Sequence, residues 1–206
     1  MGTKPMLFNI DMVRAILAGK KTVTRRVVKP QPAGDGSAPI ELITRPGFWN
    51  SFGDDFVYRQ PYEPGDILYV REAWSITDNL WNGMDMILYG ADYNGNQYSN
   101  IRWRPSIHMP KEAARIFLRV KDVRVERLQN ISLQDCMKEG ISKERIEERD
   151  AIRLKAAAKS IYEKIWNSTI KPADRAVYGW DANPWVWVIE FERCEKPEGW
   201  PGRMNT

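Results

Sequence analysis

The hydrophobic and polar positions along the chain lay out a mixed set of short elements. Residues 11–18 carry Val13, Ile16 and Leu17 at helical spacing. Asp11 is the expected N-cap, and Gly19 the residue that ends the helix in the left-handed region. Strands are expected where apolar residues run or alternate. These stretches are 56–59, 67–71, 86–93, 115–128 (one kinked strand or two in series) and 185–191. Asn94-Gly95 marks a hairpin turn after the third of them. Ser132 opens a short helix with Asp135 in the capping-box position, and Gly140 closes it. The longest helical pattern runs over 144–167, with Leu154, Ala158, Ile161 and Ile165 on one stripe and a charged outer face. Strands outnumber helices and do not alternate with them, which excludes a doubly wound parallel sheet. The expected class is α+β, a partly open β-barrel with flanking helices. One domain over all 206 residues holds this, with loop insertions at about 30–65 and 76–100 and a helical insertion at about 142–168.

Charge changes the picture through its placement. The net charge is only +4, yet Lys20, Lys21, Arg25 and Arg26 fall within 20–26 with no acid among them, and Lys29 follows. This stretch reads as a basic turn after the first helix. A helix C-terminus favours nearby cations, but this density calls for an anionic partner, of which phosphate is the commonest. Lys21 and Thr24, three residues apart, meet across a helical turn or tight loop. The neighbouring cations disfavour the charged form of Lys21, so that it either activates a hydroxyl or water or simply contacts phosphate.

A second group lies further along. Arg71 and Glu72 follow the apolar run 67–70, where a strand leaves its sheet, so only one of the two faces a pocket. Glu72 reads a base amino group, acts as a base, or forms an ion pair with an arginine. Arg102-Trp103-Arg104 interleaves cations with an aromatic ring, as single-stranded RNA binding requires, and Ser106 follows in a loop. Of the nine tryptophans, Trp74 and Trp103 are expected to be partly exposed, and Trp185 and Trp187 to be buried on one strand face.

Composition excludes several classes. A single histidine, His108, cannot supply the paired ligands of a catalytic zinc site, so no metal or organic cofactor is expected. Cys136 and Cys194 give no disulfide framework, which points to a reducing, cytoplasmic setting. No apolar run reaches the ~20 residues of a membrane span, and the first residues lack a signal-peptide core. Any catalysis falls to Lys, Thr, Ser, Tyr, Glu or Asp.

Gly19-x-Lys21-x-x-Thr24-x-Arg26 resembles the signature of the ASCH domain, a PUA-like β-barrel family related to RNA-binding modules. The stretches 65–74 and 183–191 resemble its later strands. The stretch 103–110 resembles a block of its longer, often prophage-encoded members. The resemblance covers about 4–192. It implies the PUA-like form of the barrel and an RNA or modified-nucleoside partner, with no membrane and no obligatory protein partner. The first motif is similar to that of small bacterial members that remove acetyl from 4-acetylcytidine. There a Lys and a Thr of the motif and a Glu from a later helix are catalytic. Carried over, these roles fall on Lys21, Thr24 and Glu139, with Glu72 as the substitute if Glu139 lies elsewhere. The activity so implied is a metal-independent amidohydrolase acting on an acylated cytosine-type base. A ribonuclease acting on single-stranded RNA and a non-catalytic reader of modified nucleic acid are the competing classes. In all three, Lys20, Arg25, Arg26, Arg71, Glu72, Trp74, Arg102, Trp103, Arg104 and Ser106 are the expected nucleic-acid contacts.

Overall fold

The computed structural model describes residues 2–31, 40–42, 48–51, 57–77, 86–93, 101–142, 146 and 150–201. Among the described residues ten strands and four α-helices follow in the order β1 (Thr3–Leu7), α1 (Ile10–Leu17), β2 (Val23–Val27), β3 (Ile40–Leu42), β4 (Phe48–Ser51), β5 (Val57–Arg59), β6 (Ile67–Arg71), β7 (Trp74–Thr77), β8 (Met86–Tyr89), β9 (Phe117–Arg127), α2 (Leu133–Lys138), α3 (Ala151–Thr169), α4 (Arg175–Tyr178) and β10 (Trp185–Cys194). The expected turn at Asn94-Gly95 lies outside the described residues. The chain divides into two compact units, one of residues 1–19, 65–119 and 192–206, the other of 20–64 and 120–191.

In the first unit the strand order is β1-β6-β9. β1 lies parallel to β6, with Thr3 opposite Ile67, and β6 pairs antiparallel with the start of β9. β7 and β8 form a separate antiparallel pair. α1 starts as a helix should, but its cap is Asn9 and not the expected Asp11. The Asn9 side chain accepts from the backbone N–H of Met12 at 2.9 Å, and Asp11 lies in the first turn, where its charge suits the helix dipole. Asn9→Ala is therefore expected to lower stability by about 1 kcal/mol in a urea titration, and Asp11→Ala by clearly less. Gly19 follows at φ 70°, as expected of a helix terminator. The core here joins Trp74, Met109, Ala113, Ala114, Phe117 and Trp200. The Trp200 ring meets Tyr69 and Phe117 edge-on, at 5.1 Å and 4.9 Å between centroids.

The second unit carries the order β9-β10-β2 and an antiparallel sheet β3-β4-β5. β2 runs antiparallel to β10, from Val186 opposite Val27 to Glu190 opposite Val23. Most of the expected basic turn is thus a strand, which the β-branched Val23, Thr24 and Val27 favour. α2 has the expected cap, with Ser132 Oγ accepting from Asp135 N at 3.0 Å. α3 starts later than expected because Asp150 caps it, accepting from the N–H groups of Ile152 and Arg153. Its stripe packs on a core of Val23, Leu128, Ile131, Cys136, Val186 and Val188. Ala158, Tyr162 and Trp166 are buried there, and Leu154, Ile161 and Ile165 partly buried.

The α+β class is the expected one, and neither strand order closes on itself. Among the described residues no helix is long and apolar enough to cross a membrane.

Candidate functional site

In the second unit the sequence-marked residues meet around one carboxylate. Just before β2 the backbone is clamped on both sides. Thr22 N donates to Lys138 O at 2.8 Å, and Phe191 N donates to Thr22 O at 2.9 Å. Lys21 forms an isolated antiparallel bridge with Glu139, the C-cap of α2. Its side chain is fully buried. Lys21 Nζ donates to Val23 O at 2.8 Å, to Glu139 O at 3.2 Å, and in a short ion pair to Glu139 Oε2. The other oxygen, Glu139 Oε1, accepts from Arg25 Nη1 at 3.1 Å and from the Tyr162 hydroxyl at 3.2 Å. Arg25 Nη2 also reaches Glu126 Oε1 at 2.5 Å and Asp135 Oδ2 at 3.1 Å, and Arg124 joins Asp135 at 3.4 Å.

The electrostatics follow from burial and pairing. Desolvation lowers the Lys21 pKa below 10.5, Glu139 opposes that shift, and Arg26 and Arg25 add to it. Burial pushes the Tyr162 hydroxyl well above 10.0, and the Glu139 charge pushes it further, so it stays a proton donor at neutral pH. Burial would lower the Arg25 pKa, but the charges of Glu139 and Glu126 outweigh it and keep the guanidinium charged. The result is a buried lysine with a weakened hold on its proton, hydrogen-bonded to a carboxylate that two further donors hold in place. That is the equipment of a general acid–base pair.

Two expectations about this segment are corrected. Arg25 does not present itself to phosphate: its side chain is 0% exposed and paired with three carboxylates. The run that is acid-free in sequence is not acid-free in space, because β9 and α2 bring Glu126, Asp135 and Glu139 to it. Lys21 and Thr24 are also not neighbours on a turn. Thr24 lies within β2, opposite Ile189, and shares its strand face with Arg26, whereas Val23 and Arg25 occupy the other face. Thr24 is buried, Arg26 is half-buried and Lys20 is exposed.

The first unit holds the remaining residues. Arg71 donates to two backbone carbonyls, of Met109 at 2.9 Å and of Ile107. Glu72 is buried and paired with Arg115, accepting from Nε at 2.9 Å and Nη2 at 3.2 Å. The ion-pair reading of Glu72 is the one that holds, with Arg115 as the arginine. Arg115 also grips Asp92 and lies 3.9 Å over the Tyr89 ring. Desolvation raises the Glu72 pKa above 4.5, against the pull of Arg115. Trp74, expected to be partly open for stacking, is 3% exposed because its ring enters the core beneath the Arg104 guanidinium, 5.0 Å away. Trp103 is half-buried beside Tyr93 at 5.5 Å, Arg102, Arg104 and His108 are exposed, and Ser106 is half-buried. In the second unit Trp187 is buried, but Trp185 is only half-buried, its ring covered by Arg127 at 4.6 Å.

Sequence reasoning missed Tyr162, Glu126, Asp135 and Arg115 as site residues. Tyr162 had a signal, since its hydroxyl falls on the buried stripe of α3, four residues from Ala158 and from Trp166. The other three had none.

No family model matches the chain, and no curated protein matches it. Among solved structures it is similar to a crystal structure of a hypothetical protein at 14% identity, covering 93% of this chain and 99% of that one, with a TM-score of 0.35. It is also similar to a crystal structure of an ASCH domain from Lactobacillus crispatus at 11% identity, covering 93% of this chain and 79% of that one, with a TM-score of 0.37.

Proposed function

We propose that this protein is a PUA-like ASCH domain that binds RNA or a modified nucleoside and hydrolyses the amide of an acylated cytosine-type base. One observation carries the reading. Lys21 of the motif and Glu139, the glutamate carried over from the resemblance 118 residues away, form a buried ion pair. A pair of this kind suits proton transfer better than phosphate binding, because its charge is already matched and it is withdrawn from solvent. In the proposed reaction a water attacks the acyl carbonyl and Lys21 takes its proton. Glu139 relays a proton to the departing exocyclic amine as the carbon–nitrogen bond breaks. The products are the free base and the carboxylic acid. Arg25 and Tyr162 hold Glu139 in position.

Release of cytidine from 4-acetylcytidine, followed by chromatography, tests the hydrolytic half. Cleavage of a short RNA in the same assay, with the acylated nucleoside untouched, would favour the ribonuclease reading instead.

The binding half has its own measurement. With Arg25 and Lys21 paired internally, Lys20, Arg26 and Lys29 are the cations of this segment proposed to contact phosphate. RNA affinity followed by fluorescence anisotropy should then fall with salt at a log–log slope of roughly −2, for three contacts on a single strand. A flat salt dependence contradicts this.

A further inference from the structure

We infer that the cavity bordered by the edge strand β2 and the C-terminal end of α3 binds the phosphate of a nucleotide, with Lys29 and Lys171 as its contacts. The inference rests on the proposed nucleic-acid reading and narrows its substrate to a phosphorylated one.

The cavity has a volume of about 320 Å³, and Arg26, Lys29, Trp166, Lys171, Asp174 and Tyr178 are among its lining residues. That volume lies at the lower end of small-molecule sites and suits a mononucleotide or one nucleotide of a strand. Its charge is unbalanced. Arg25, which also borders the cavity, is neutralised by Glu126, Asp135 and Glu139. That leaves Lys29 and Lys171 against the single carboxylate of Asp174.

Neither lysine forms an ion pair with a described residue. Lys29 Nζ instead lies 4.8 Å over the Tyr178 ring, which holds the ammonium at the cavity without cancelling its charge. The wall behind it is fixed, since Trp166 Nε1 donates to Tyr178 O at 2.8 Å. The negative end of the α3 dipole accounts for a cation at Lys171. It does not account for Lys29, which reaches the same cavity from the chain just after β2. Cations converging from two separate segments on one recess, beside an aromatic wall, are the features of an anion site that also has room for a base or sugar.

The test is isothermal titration of the full chain with cytidine, cytidine 5′-monophosphate, inorganic phosphate and a short RNA. It is repeated with the double variant Lys29→Ala/Lys171→Ala, whose two positions are exposed and leave the core intact. The expected result is about tenfold tighter binding of the monophosphate than of cytidine. In the double variant that advantage is lost, while affinity for cytidine is unchanged. Lysine-dependent binding of the monophosphate identifies a free nucleotide as the ligand. The same dependence with RNA alone identifies a nucleotide within a strand. Lysine-dependent binding of inorganic phosphate alone, equal affinity for cytidine and its monophosphate with no lysine effect on RNA, or binding unchanged in the double variant would each overturn the inference. Binding is read without turnover. A failure to hydrolyse acylated cytidine would therefore remove the hydrolase reading and leave this result standing, and the reverse holds equally.

Discussion

Glu139→Ala is expected to destabilise the protein by about 3–5 kcal/mol, the usual cost of removing one partner from a buried ion pair. Glu139 accepts from Lys21, Arg25 and Tyr162, so its loss leaves a fully buried ammonium without its carboxylate and a buried hydroxyl without its acceptor. Arg25 is cushioned, because Glu126 and Asp135 still hold it. The Lys21 ammonium, which also donates to the backbone carbonyls of Val23 and Glu139, loses the charge that matches its own. The double change Lys21→Met/Glu139→Leu should recover much of the loss, because a buried pair replaced by apolar groups of similar size is often neutral or better. Urea midpoints at unchanged slope provide the measurement. A loss below about 1 kcal/mol for the single change would mean that the pair is far more hydrated than its burial indicates.

Lys21→Arg is expected to abolish turnover, with a loss of about 10²–10⁴-fold, the usual contribution of a positioned acid or base. The sign of the pH dependence is fixed by the shift. Lys21 has its pKa lowered from 10.5 by burial. The neutral, proton-accepting form therefore grows as pH rises through that lowered value, ahead of a free lysine. In the parent, kcat/KM should climb with pH over this window and then level. An arginine keeps its proton throughout, so the climb should vanish with the activity. The charge is retained, so RNA affinity should stay within a few fold of the parent. The urea midpoint of the variant separates a lost base from a lost fold. A folded Lys21→Arg variant with full activity would exclude Lys21 as the base.

Elements written in local pattern were legible in the sequence. The alternation over 115–128 gave β9, the Ser132–Asp135 spacing gave the cap of α2, and the apolar run before Arg71 gave β6. β1 was not legible, because Met6 is its only fully buried residue and its place comes from parallel pairing with β6, 64 residues away. β2 was misread for a physical reason. A segment dense in cations reads as a turn that calls for an anionic ligand when the carboxylates that neutralise it lie more than 100 residues further along, and only the fold brings them together. The same non-local pairing hid the roles of Glu126 and Asp135 at Arg25, and of Arg115 at Glu72. Thr24 was grouped with Lys21 by a helical spacing rule, which fails once the segment is a strand.

In the proposed function the Lys21–Glu139 pair drives hydrolysis of an acylated cytosine-type base. The most direct measurement is a time course of the parent protein with 4-acetylcytidine and with an acetylated RNA oligonucleotide, each against a no-protein control. Cytidine from the nucleoside, or deacetylated cytosine within the strand, is expected to form in proportion to protein concentration. No release above the control from either substrate, by protein whose urea transition shows it to be folded, would contradict it.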